Sequence, residues 1–455
     1  MPDKRLIFAT QAVSFMNDKS INGFSKRSKA EKINWLTETF LNGDQESANL
    51  LRVYWHEDEQ RQKRHDEFIE NALTNFFLPF AVAPNFKING EFHAIPLVIE
   101  ESSVVAAASN AAKFWAARGG FQARIISRTK SGQIHLNYSG ESAVLNDFFK
   151  QHKQQLKQSI GPLSKGMEAR GGGLVSLELV DQTAQLDDYY YIDAKFETAD
   201  AMGANYINSC LETMAATLKS LASNFSGFVP ETATPEVVMS ILSNYVPECL
   251  VEVKVTCPVS ELAQEGLSGS EFANKFVRAV EIAHANPLRG VTHNKGIMNG
   301  VDAVVLATGN DFRAIEAGIH AFASRSGQYC SLSTAKITQD EFEFSMQLPL
   351  ALGTVGGLTK LHPMAGVSLS ILQNPSAEQL MMIVACAGLA QNFAAVRSLI
   401  TTGIQKGHMK MHLLNLLSQY GATESTKSLA IEHFKTQPIS ARNVAEYVVK
   451  HQQDA

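Results

Sequence analysis

Four short stretches of the sequence carry side chains that could do chemistry together. Glu100-Glu101 stands where an apolar strand is predicted to meet an alanine-rich helix, so a carboxyl group there would be partly desolvated. Asp200-Ala-Met-Gly-Ala-Asn205 places a glycine at a predicted helix start, where backbone amides can face a phosphate. Both stretches also have a purely structural explanation, because acids stabilise helix N-termini and short polar residues cap them.

The other two stretches add cations and a further acid. Arg289-Gly-Val-Thr-His-Asn-Lys295-Gly-Ile-Met-Asn299-Gly combines donors and glycines without an acid, a composition more typical of functional loops than of structural ones. Thr308-Gly-Asn-Asp311 follows a predicted apolar strand, Ala303 to Ala307, and Asp311 could instead simply cap the next helix.

The sequence carries one histidine pair with metal-ligand spacing and lacks the common nucleotide-binding motifs. His408 and His412 have a spacing that could hold a metal ion on one helix face, but no third ligand is visible nearby. We therefore interpret them as helix-surface histidines and predict no metal site. The sequence has no GxGxxG after a strand, no GxxxxGK[ST] and no HExxH, so a Rossmann dehydrogenase, a P-loop NTPase and a zincin would each lack their usual signature.

The composition narrows the class of protein. The 455 residues include 40 Lys+Arg and 45 Asp+Glu, a formal net charge of −5, which argues against a nucleic-acid partner. The 45% hydrophobic and 19% charged residues are typical of a globular protein. The longest apolar run, Leu380 to Ala390, is too short to cross a membrane, and the scattered cysteines without a CxxC pair indicate reduced thiols. No secretory signal is recognisable at the start, so we expect a cytoplasmic protein without a membrane partner.

The elements that would position these residues follow from periodicity and turn residues. Residues 29–76 are rich in helix formers. Asn89-Gly90 predicts a hairpin with a type I′ turn. Pro96 indicates that the second strand of this hairpin is bulged or lies at an edge. Ser102 would cap the alanine-rich helix, and Gly119-Gly120 would end it.

Residues 121–244 are predicted to form a self-contained unit inside a larger domain. A strand (121–128), a helix (143–158), two strands (174–179 and 189–196), a helix (202–224) and a strand (237–242) give the order βαββαβ, which is ferredoxin-like. The larger domain would resume with a strand (251–257), a helix (269–285), a loop (286–300), the strand at 303–307 and a helix (311–323). Residues after about 400 look helical and polar.

Several of these segments resemble the signature segments of one enzyme family. Glu-Glu101-Ser-Ser-Val-Val-Ala-Ala-Ala-Ser, Asp200-Ala-Met-Gly-Ala-Asn, His293-Asn-Lys-Gly-Ile-Met-Asn-Gly, Thr308-Gly-Asn-Asp and Gly407-His408-Met are similar to those of 3-hydroxy-3-methylglutaryl-CoA (HMG-CoA) reductases. The resemblance is to the class II form found mainly in bacteria. It runs from Asn22-Gly-Phe-Ser-Lys through Gly353-Thr-Val-Gly-Gly-Leu-Thr-Lys-Leu-His-Pro to the C-terminal segment.

The resemblance implies an α+β fold. A large mixed α/β substrate-binding domain (residues 1–120 and 245–400) would hold the acyl-CoA. The inserted ferredoxin-like domain (121–244) would bind the nicotinamide cofactor without a Rossmann fingerprint, and residues 401–455 would form a helical C-terminal flap. The resemblance also implies a homodimer with active sites at the subunit interface, and leaves open whether a higher oligomer forms.

The implied reaction reduces the HMG-CoA thioester to mevalonate with two hydrides and releases CoA. By resemblance, Lys295 would stabilise the oxyanion, Asp311 would hold Lys295 charged and couple it to Glu101, and Glu101 would donate a proton to the oxygen. His408 matches the flap histidine that protonates the departing CoA thiolate, a task suited to a group that titrates near neutrality.

The resemblance also implies binding residues. Arg289 matches the position that binds the carboxylate of the hydroxymethylglutaryl group, for which a guanidinium fork is well suited. Ser103 and Asn299 would line the same pocket. The predicted contacts with the cofactor are Asp200, Met202, Gly203 and Asn205.

The cofactor preference rests on a weaker comparison. Relatives that prefer NAD carry an acid shortly before the Gly-rich strand, where it can accept from the ribose 2′-hydroxyl. Here the corresponding stretch before Gly171 offers Ser164 and Lys165, although Glu168 is also near. An available cation suits a 2′-phosphate, so we predict NADPH and leave NADH as an alternative.

Three functions remain open from sequence. The first is a reductase that makes mevalonate for isoprenoid synthesis, and the second is the degradative direction, which oxidises mevalonate with NAD and CoA. The third is a silent relative that only binds acyl-CoA or a partner protein. The presence of Glu101, Lys295, Asp311 and His408 argues against the third.

Overall fold

The computed structural model describes residues 19–228, 234–264, 266–401 and 413–452. By its internal contacts the chain divides into two compact units, Met1–Pro79 and Phe80–Ala455.

The first unit is helical. It holds a 3₁₀ turn (Phe24–Lys26) and the helices α1 (Lys29–Phe40), α2 (Gln45–Val53) and α3 (Glu59–Asp66). A capping box begins α1, because the Ser28 hydroxyl accepts from the amide of Glu31 and the Glu31 carboxylate accepts from the amide of Ser28. Lys29 and Asp66 form an ion pair at 2.6 Å that joins α1 to the end of α3. The predicted helices are confirmed over 29–66 only.

The second unit alternates helices and strands. Its first part contains β1 (Phe80–Ile88), β2 (Glu91–Val98), α4 (Val104–Ala116), β3 (Gln122–Ile125), β4 (Lys130–Asn137), α5 (Ser142–Ser159), α6 (Gly161–Glu168), β5 (Gly173–Asp181), β6 (Tyr189–Glu197), α7 (Ala204–Ala222) and β7 (Glu236–Leu242). There follow β8 (Leu250–Pro258), a 3₁₀ turn (Val259–Leu262), α8 (Gly269–Ala285), α9 (Pro287–Ala307), α10 (Phe312–Ala323), β9 (Ser333–Thr338), β10 (Glu341–Pro349), α11 (Gly357–Leu361), α12 (Pro363–Ile371), α13 (Ala377–Ile400), α14 (Glu424–His433) and α15 (Ala441–Gln452).

A four-stranded antiparallel sheet and the helix α13 form the larger hydrophobic core of the second unit. The strand order is β3-β8-β10-β9, and α13 packs between this sheet and the helices α4, α8 and α9. Trp115, Phe276 and Phe393 fill the centre, with ring centroids 5.0 to 5.4 Å apart where Phe393 meets the other two. By length and composition α13 could cross a membrane, but most of its apolar stretch is buried inside the protein, as expected for a core helix.

The predicted hairpin is confirmed as β1 and β2. Asn89 and Gly90 have φ of 49° and 95°, the two positive angles that a type I′ turn requires. The irregularity in register lies between Ala83 and Phe86 on β1, whereas Pro96 pairs regularly with Val82. The prediction of a bulge at Pro96 is therefore wrong, and the alternative of an edge strand is right, because this sheet has only two strands.

The inserted sheet has the ferredoxin-like order β5-β6-β4-β7, antiparallel throughout, with α5 and α7 packed on it. Its first strand is β4, not the predicted segment 121–128. That segment contains β3, which pairs with β8 of the large sheet through Ala123 and Val253. Both segments alternate apolar and polar residues, so periodicity could not distinguish them. The inserted sheet begins at Lys130.

The predicted loop at 286–300 and the predicted strand at 303–307 are wrong. Both lie in α9, a single helix of 21 residues that Asn286 caps and Pro287 opens. The glycines that suggested a loop are packing positions: a Cβ at Gly300 would lie 2.4 Å from the carbonyl oxygen of Ala387 on α13. Close helix packing overrides their low helix propensity.

The described C-terminal residues form a small helical cluster. Residues 413–419 are helical, and with α14 and α15 they bury Leu417, Ala430 and Val444. The helical prediction for this region is confirmed for these residues. Gly403, Gly407, His408 and His412 lie outside the described residues.

Candidate active site

Lys295 and Glu101 meet in one ion pair. The Lys295 ammonium Nζ donates to Glu101 Oε2 at 2.7 Å, and the side chains are 59% and 39% exposed. Glu101 lies in the turn between β2 and α4, and Lys295 lies on the exposed face of α9. Two of the predicted catalytic residues therefore come together on different elements, at a place that solvent can reach.

The turn that carries Glu101 is held by a glutamine of α13. Ser103, not the predicted Ser102, is the N-cap of α4, with φ of 75° and no side-chain cap. The carbonyl of Val104 accepts from Gln391 Nε2 at 2.5 Å, and Gln391 is only 4% exposed. Sequence reasoning missed Gln391. Its signal is a Gln-Asn pair in an otherwise apolar helix.

The segment of α9 that carries Lys295 is held by a buried network. His293 Nε2 lies 2.7 Å from Ser333 Oγ, which donates to Asn392 Oδ1 at 2.7 Å, and Asn392 Nδ2 donates to the carbonyl of His293 at 3.3 Å. Burial, aided by the charge of Arg289, lowers the pKa of His293 to about 3, so this imidazole is neutral at ordinary pH. Sequence reasoning missed this network as well.

The predicted substrate residues lie on the same elements as the Lys295 and Glu101 pair. Asn299 lies one helical turn after Lys295 on α9, so both side chains leave the same face. Arg289 lies in the first turn of α9 and is half-buried, and this burial lowers the pKa of its guanidinium. Ser103 adjoins the turn of Glu101.

Asp311 does not join this pair within one chain. Its Oδ1 caps α10 by accepting from the amides of Arg313 and Ala314, and it pairs with the Arg313 guanidinium at 3.1 Å. The neighbouring Asn310 amide donates to Val305, which lies ten residues beyond Lys295 on α9. At 1.5 Å per residue that is about 15 Å along the helix, too far for the two side chains to meet. The structural alternative for Asp311, a helix cap, is confirmed.

The predicted cofactor segment, Asp200 to Asn205, lies at the start of α7. Gly203 is the N-cap with φ of 95°, and a Cβ there would lie 2.5 Å from Thr198. Asp200 Oδ1 accepts from the amide of Ala377 at 2.8 Å, and the backbone of Met202 abuts Gly353. Asn205 is exposed in the first turn of α7.

Ser164 is a buried residue of α6. It is 1% exposed, and its hydroxyl lies 2.9 Å from Tyr206 Oη on α7, because the inner face of α6 carries it. The Ser164 hydroxyl is thus bonded inside the ferredoxin-like unit, and its contact with the cofactor stays a prediction. Lys165, one residue later, is exposed.

The two groups of predicted residues lie at opposite ends of α13. Gly296, next to Lys295, faces Ala395, whereas Asp200 bonds to Ala377 at the first residue of the helix. These positions are 18 residues apart, about 27 Å along a helix. Within one chain, the Lys295 and Glu101 pair is therefore far from the predicted cofactor segment.

The predicted catalytic residue His408 lies outside the described residues. Among the residues that the structure describes, no group of three His, Cys, Asp or Glu side chains could hold a metal ion.

The sequence is similar to HMG-CoA reductases over nearly its whole length. The family model for hydroxymethylglutaryl-coenzyme A reductase matches residues 29–413. The 3-hydroxy-3-methylglutaryl-coenzyme A reductase of Archaeoglobus fulgidus is 34% identical over 90% of each chain. A probable enzyme of the same name from Borreliella burgdorferi is 32% identical over 88% of this chain and 89% of its own.

The fold is similar to that of solved reductases. A class II 3-hydroxy-3-methylglutaryl-CoA reductase from Streptococcus pneumoniae, bound to NADPH in open conformations, matches with a TM-score of 0.70 and 35% identity, over 84% of this chain and all of that one. Another structure of the reductase from that organism matches with a TM-score of 0.69 and 33% identity over 96% of this chain and 99% of its own. The chain is an enzyme of the hydroxymethylglutaryl-coenzyme A reductase family.

Proposed function

We propose that this enzyme reduces HMG-CoA to mevalonate and free CoA with two equivalents of NADPH, in the biosynthetic direction. The observation that carries the proposal is the Lys295 and Glu101 ion pair at 2.7 Å, a cation and a proton donor side by side, in a chain of this family. Reduction of the thioester carbonyl yields a hemithioacetal, which loses CoA thiolate to give an aldehyde, and reduction of the aldehyde yields the alcohol.

Lys295 and Glu101 meet the needs of both reductions. Negative charge develops on the carbonyl oxygen as each hydride adds, and the Lys295 ammonium stabilises it. Glu101 takes up a proton from solvent before each reduction and then gives that proton to the oxygen. Because the pair is already in contact, the charge of each side chain is compensated before substrate binds.

We assign the other polar groups of the substrate to residues of α9 and of the turn before α4. Arg289 binds the terminal carboxylate, since its fork of donors matches two oxygens. Ser103 and Asn299 bind polar groups near the reacting carbon. His408 protonates the leaving CoA thiolate from the C-terminal flap, residues 401–455.

The start of α7 fits the anionic cofactor. When bound, NADPH supplies the hydride for each reduction. Gly203 lets the chain pass close to Thr198, because a Cβ at this position would lie 2.5 Å from that side chain. The first amides of α7 have no partners within the helix, so they suit a pyrophosphate. Asp200, Met202 and Asn205 lie at the same helix start, and the exposed Lys165 would meet the 2′-phosphate.

We further propose a homodimer in which each active site takes residues from both subunits. The distances of about 15 Å and about 27 Å along the helices support this, because one chain separates Lys295 from Asp311 and from its own cofactor segment. The exposed face of α9 around Lys295 also carries Leu288 and Val291, which are 84% and 51% exposed. Such an apolar surface is typical of a subunit interface. We place the enzyme in the cytoplasm.

The test is oxidation of NADPH and, separately, NADH by the purified protein with HMG-CoA, followed by the loss of reduced-nicotinamide absorbance. We expect turnover with a clear preference for NADPH. A strong preference for NADH would contradict the cofactor assignment and favour the degradative direction. No turnover with either would overturn the proposed function.

A further inference from the structure

We propose that Lys130 is a positioning residue for the cofactor segment. Its buried ammonium group holds the turn before α7 in the shape that binds NADPH and places a positive charge beneath it. This inference rests on the proposed function, because it assumes that the segment binds the cofactor.

The first observation is the place of Lys130. It is the first residue of β4, is 6% exposed, and pairs with Phe196 of β6. Nζ donates to Thr198 Oγ1 at 2.5 Å and to the carbonyl of Ala201 at 2.9 Å. Lysine is rarely buried, since taking an ammonium group out of water is costly. Both of its hydrogen bonds go to one short turn.

The second observation is the structure of that turn. Thr198 is 2% exposed, and its hydroxyl also donates to Ala201 at 2.6 Å, which closes the turn on itself. Ala199 has φ of 47°, an unfavourable backbone angle for a residue with a Cβ. The same Thr198 side chain contacts Gly203, the N-cap of α7. Lys130 therefore bonds the same Thr198 side chain that packs against Gly203, whose backbone would face the cofactor.

The third observation is charge. Both acceptors of Lys130 are neutral oxygens, and no carboxylate of the described residues lies within ion-pair distance of Nζ. Burial lowers the pKa of Lys130, the expected result of desolvation. A buried cation without a carboxylate partner is costly, and an anion bound nearby would offset that cost. The phosphates of NADPH would provide that anion.

The outer side of the turn is fixed by the large domain. Asp200 accepts from Ala377 through its side chain and from Thr354 through its carbonyl. Arg128, two residues before Lys130, pairs with Glu197 at 3.2 Å and with Glu378 of α13 at 2.6 Å. The turn is therefore bonded on its outer side to Ala377 at the start of α13, and on its inner side to Lys130 of the ferredoxin-like sheet.

The experiment compares the variants Lys130→Met, Thr198→Val and Thr198→Ser with the full-length wild type. Methionine keeps the length of the side chain but has no charge, and valine replaces the hydroxyl, which bonds both Lys130 and the carbonyl of Ala201, by a methyl group. We expect Lys130→Met and Thr198→Val each to raise the KM and the dissociation constant for NADPH roughly tenfold or more, as for a lost hydrogen bond to a charged group. The KM for HMG-CoA and kcat at saturating NADPH should stay within about twofold. Thr198→Ser should keep nearly normal NADPH affinity.

Lys153→Met is the matched control, because Lys153 lies in the same domain and pairs with Glu178 on the surface. It should leave all constants unchanged. Normal NADPH affinity in folded Lys130→Met, or an equal loss for both substrates, would overturn the inference. If Lys130→Met does not fold, the inference would be overturned by equal NADPH affinities of Thr198→Val and Thr198→Ser. A wild type without NADPH turnover would instead overturn the proposed function.

Discussion

Glu101 and Lys295 meet at 2.7 Å although 194 residues separate them in the chain. Two adjacent residues of α13 hold the segments that carry them. Gln391 binds the carbonyl of Val104 at the start of α4, and Asn392 binds the carbonyl of His293 on α9. One buried polar pair on a core helix thus sets the distance between the two proposed catalytic groups.

Replacement of Lys295 by alanine should abolish both reductions. We expect the rate to fall at least about a hundredfold with HMG-CoA and with free mevaldehyde, because both steps develop charge on the carbonyl oxygen. Steady-state assays with each substrate measure this. Lys336→Ala is the control, since this exposed lysine pairs with Glu343 on the surface. Substantial turnover by Lys295→Ala would contradict the oxyanion role.

His293 should make the fold sensitive to acid. Its pKa is about 3 in the folded state against 6.5 when exposed, so below pH 6.5 the unfolded chain binds a proton that the folded chain does not. Stability is therefore complete above pH 6.5 and falls as the pH falls toward 3. Between pH 6.5 and pH 5 the loss from this group is about 2 kcal/mol.

Urea denaturation across this pH range measures the effect. His293→Gln keeps a polar side chain that does not titrate, so its free energy of unfolding should depend less on pH over the same interval. Parallel pH profiles for wild type and variant would show that this imidazole does not set the slope.

The contact between α9 and α13 predicts opposite results for two glycines of one helix. Gly300→Ala would bring a Cβ to 2.4 Å from the carbonyl oxygen of Ala387, a backbone atom that cannot move away alone. We expect a loss of about 1–3 kcal/mol in unfolding free energy. At Gly296 the nearest atom is Ala395 Cβ at 3.8 Å, so Gly296→Ala should be neutral or gain up to about 1 kcal/mol from helix propensity. Equal effects in chemical denaturation would refute this packing.

The sequence predicted local elements better than their partners. Asn89-Gly90 specifies its turn chemically, and βαββαβ periodicity is visible in residues 130–242. The segment at 121–128 was assigned to the wrong sheet, because alternation marks a strand but not its neighbour. Gly300 was read as part of a loop because the helix it packs against, α13, is about 90 residues away in the chain.

For the candidate site, too, the sequence indicated single residues but not the contacts between them. Motif resemblance identified Lys295 and Glu101, whose contact is now visible. The burial of Ser164 against Tyr206 could not be foreseen, because Tyr206 lies on a different helix. The network of His293, Ser333 and Asn392 is assembled from three elements, and no single segment carries a signal for it.

Subunit mixing should reveal whether one active site uses two chains. Lys295→Ala and Asp311→Asn should each be inactive, and asparagine keeps the cap of α10, so both variants should fold. A mixed dimer would contain one site with an intact lysine from one chain and an intact aspartate from the other. Because half the dimers are mixed and each has one intact site, the mixture should recover roughly a quarter of wild-type activity after unfolding and refolding together.

The matched control mixes Lys295→Ala with Glu101→Gln. These two residues meet within one chain, so each chain of this mixed dimer lacks one member of its own pair, and no activity should return. Recovery in this control, or none in the mixture with Asp311→Asn, would contradict the shared site. Recovery only with Asp311→Asn would mean that Asp311 acts on the lysine of the neighbouring subunit, which agrees with its position about 15 Å along α9 from its own Lys295.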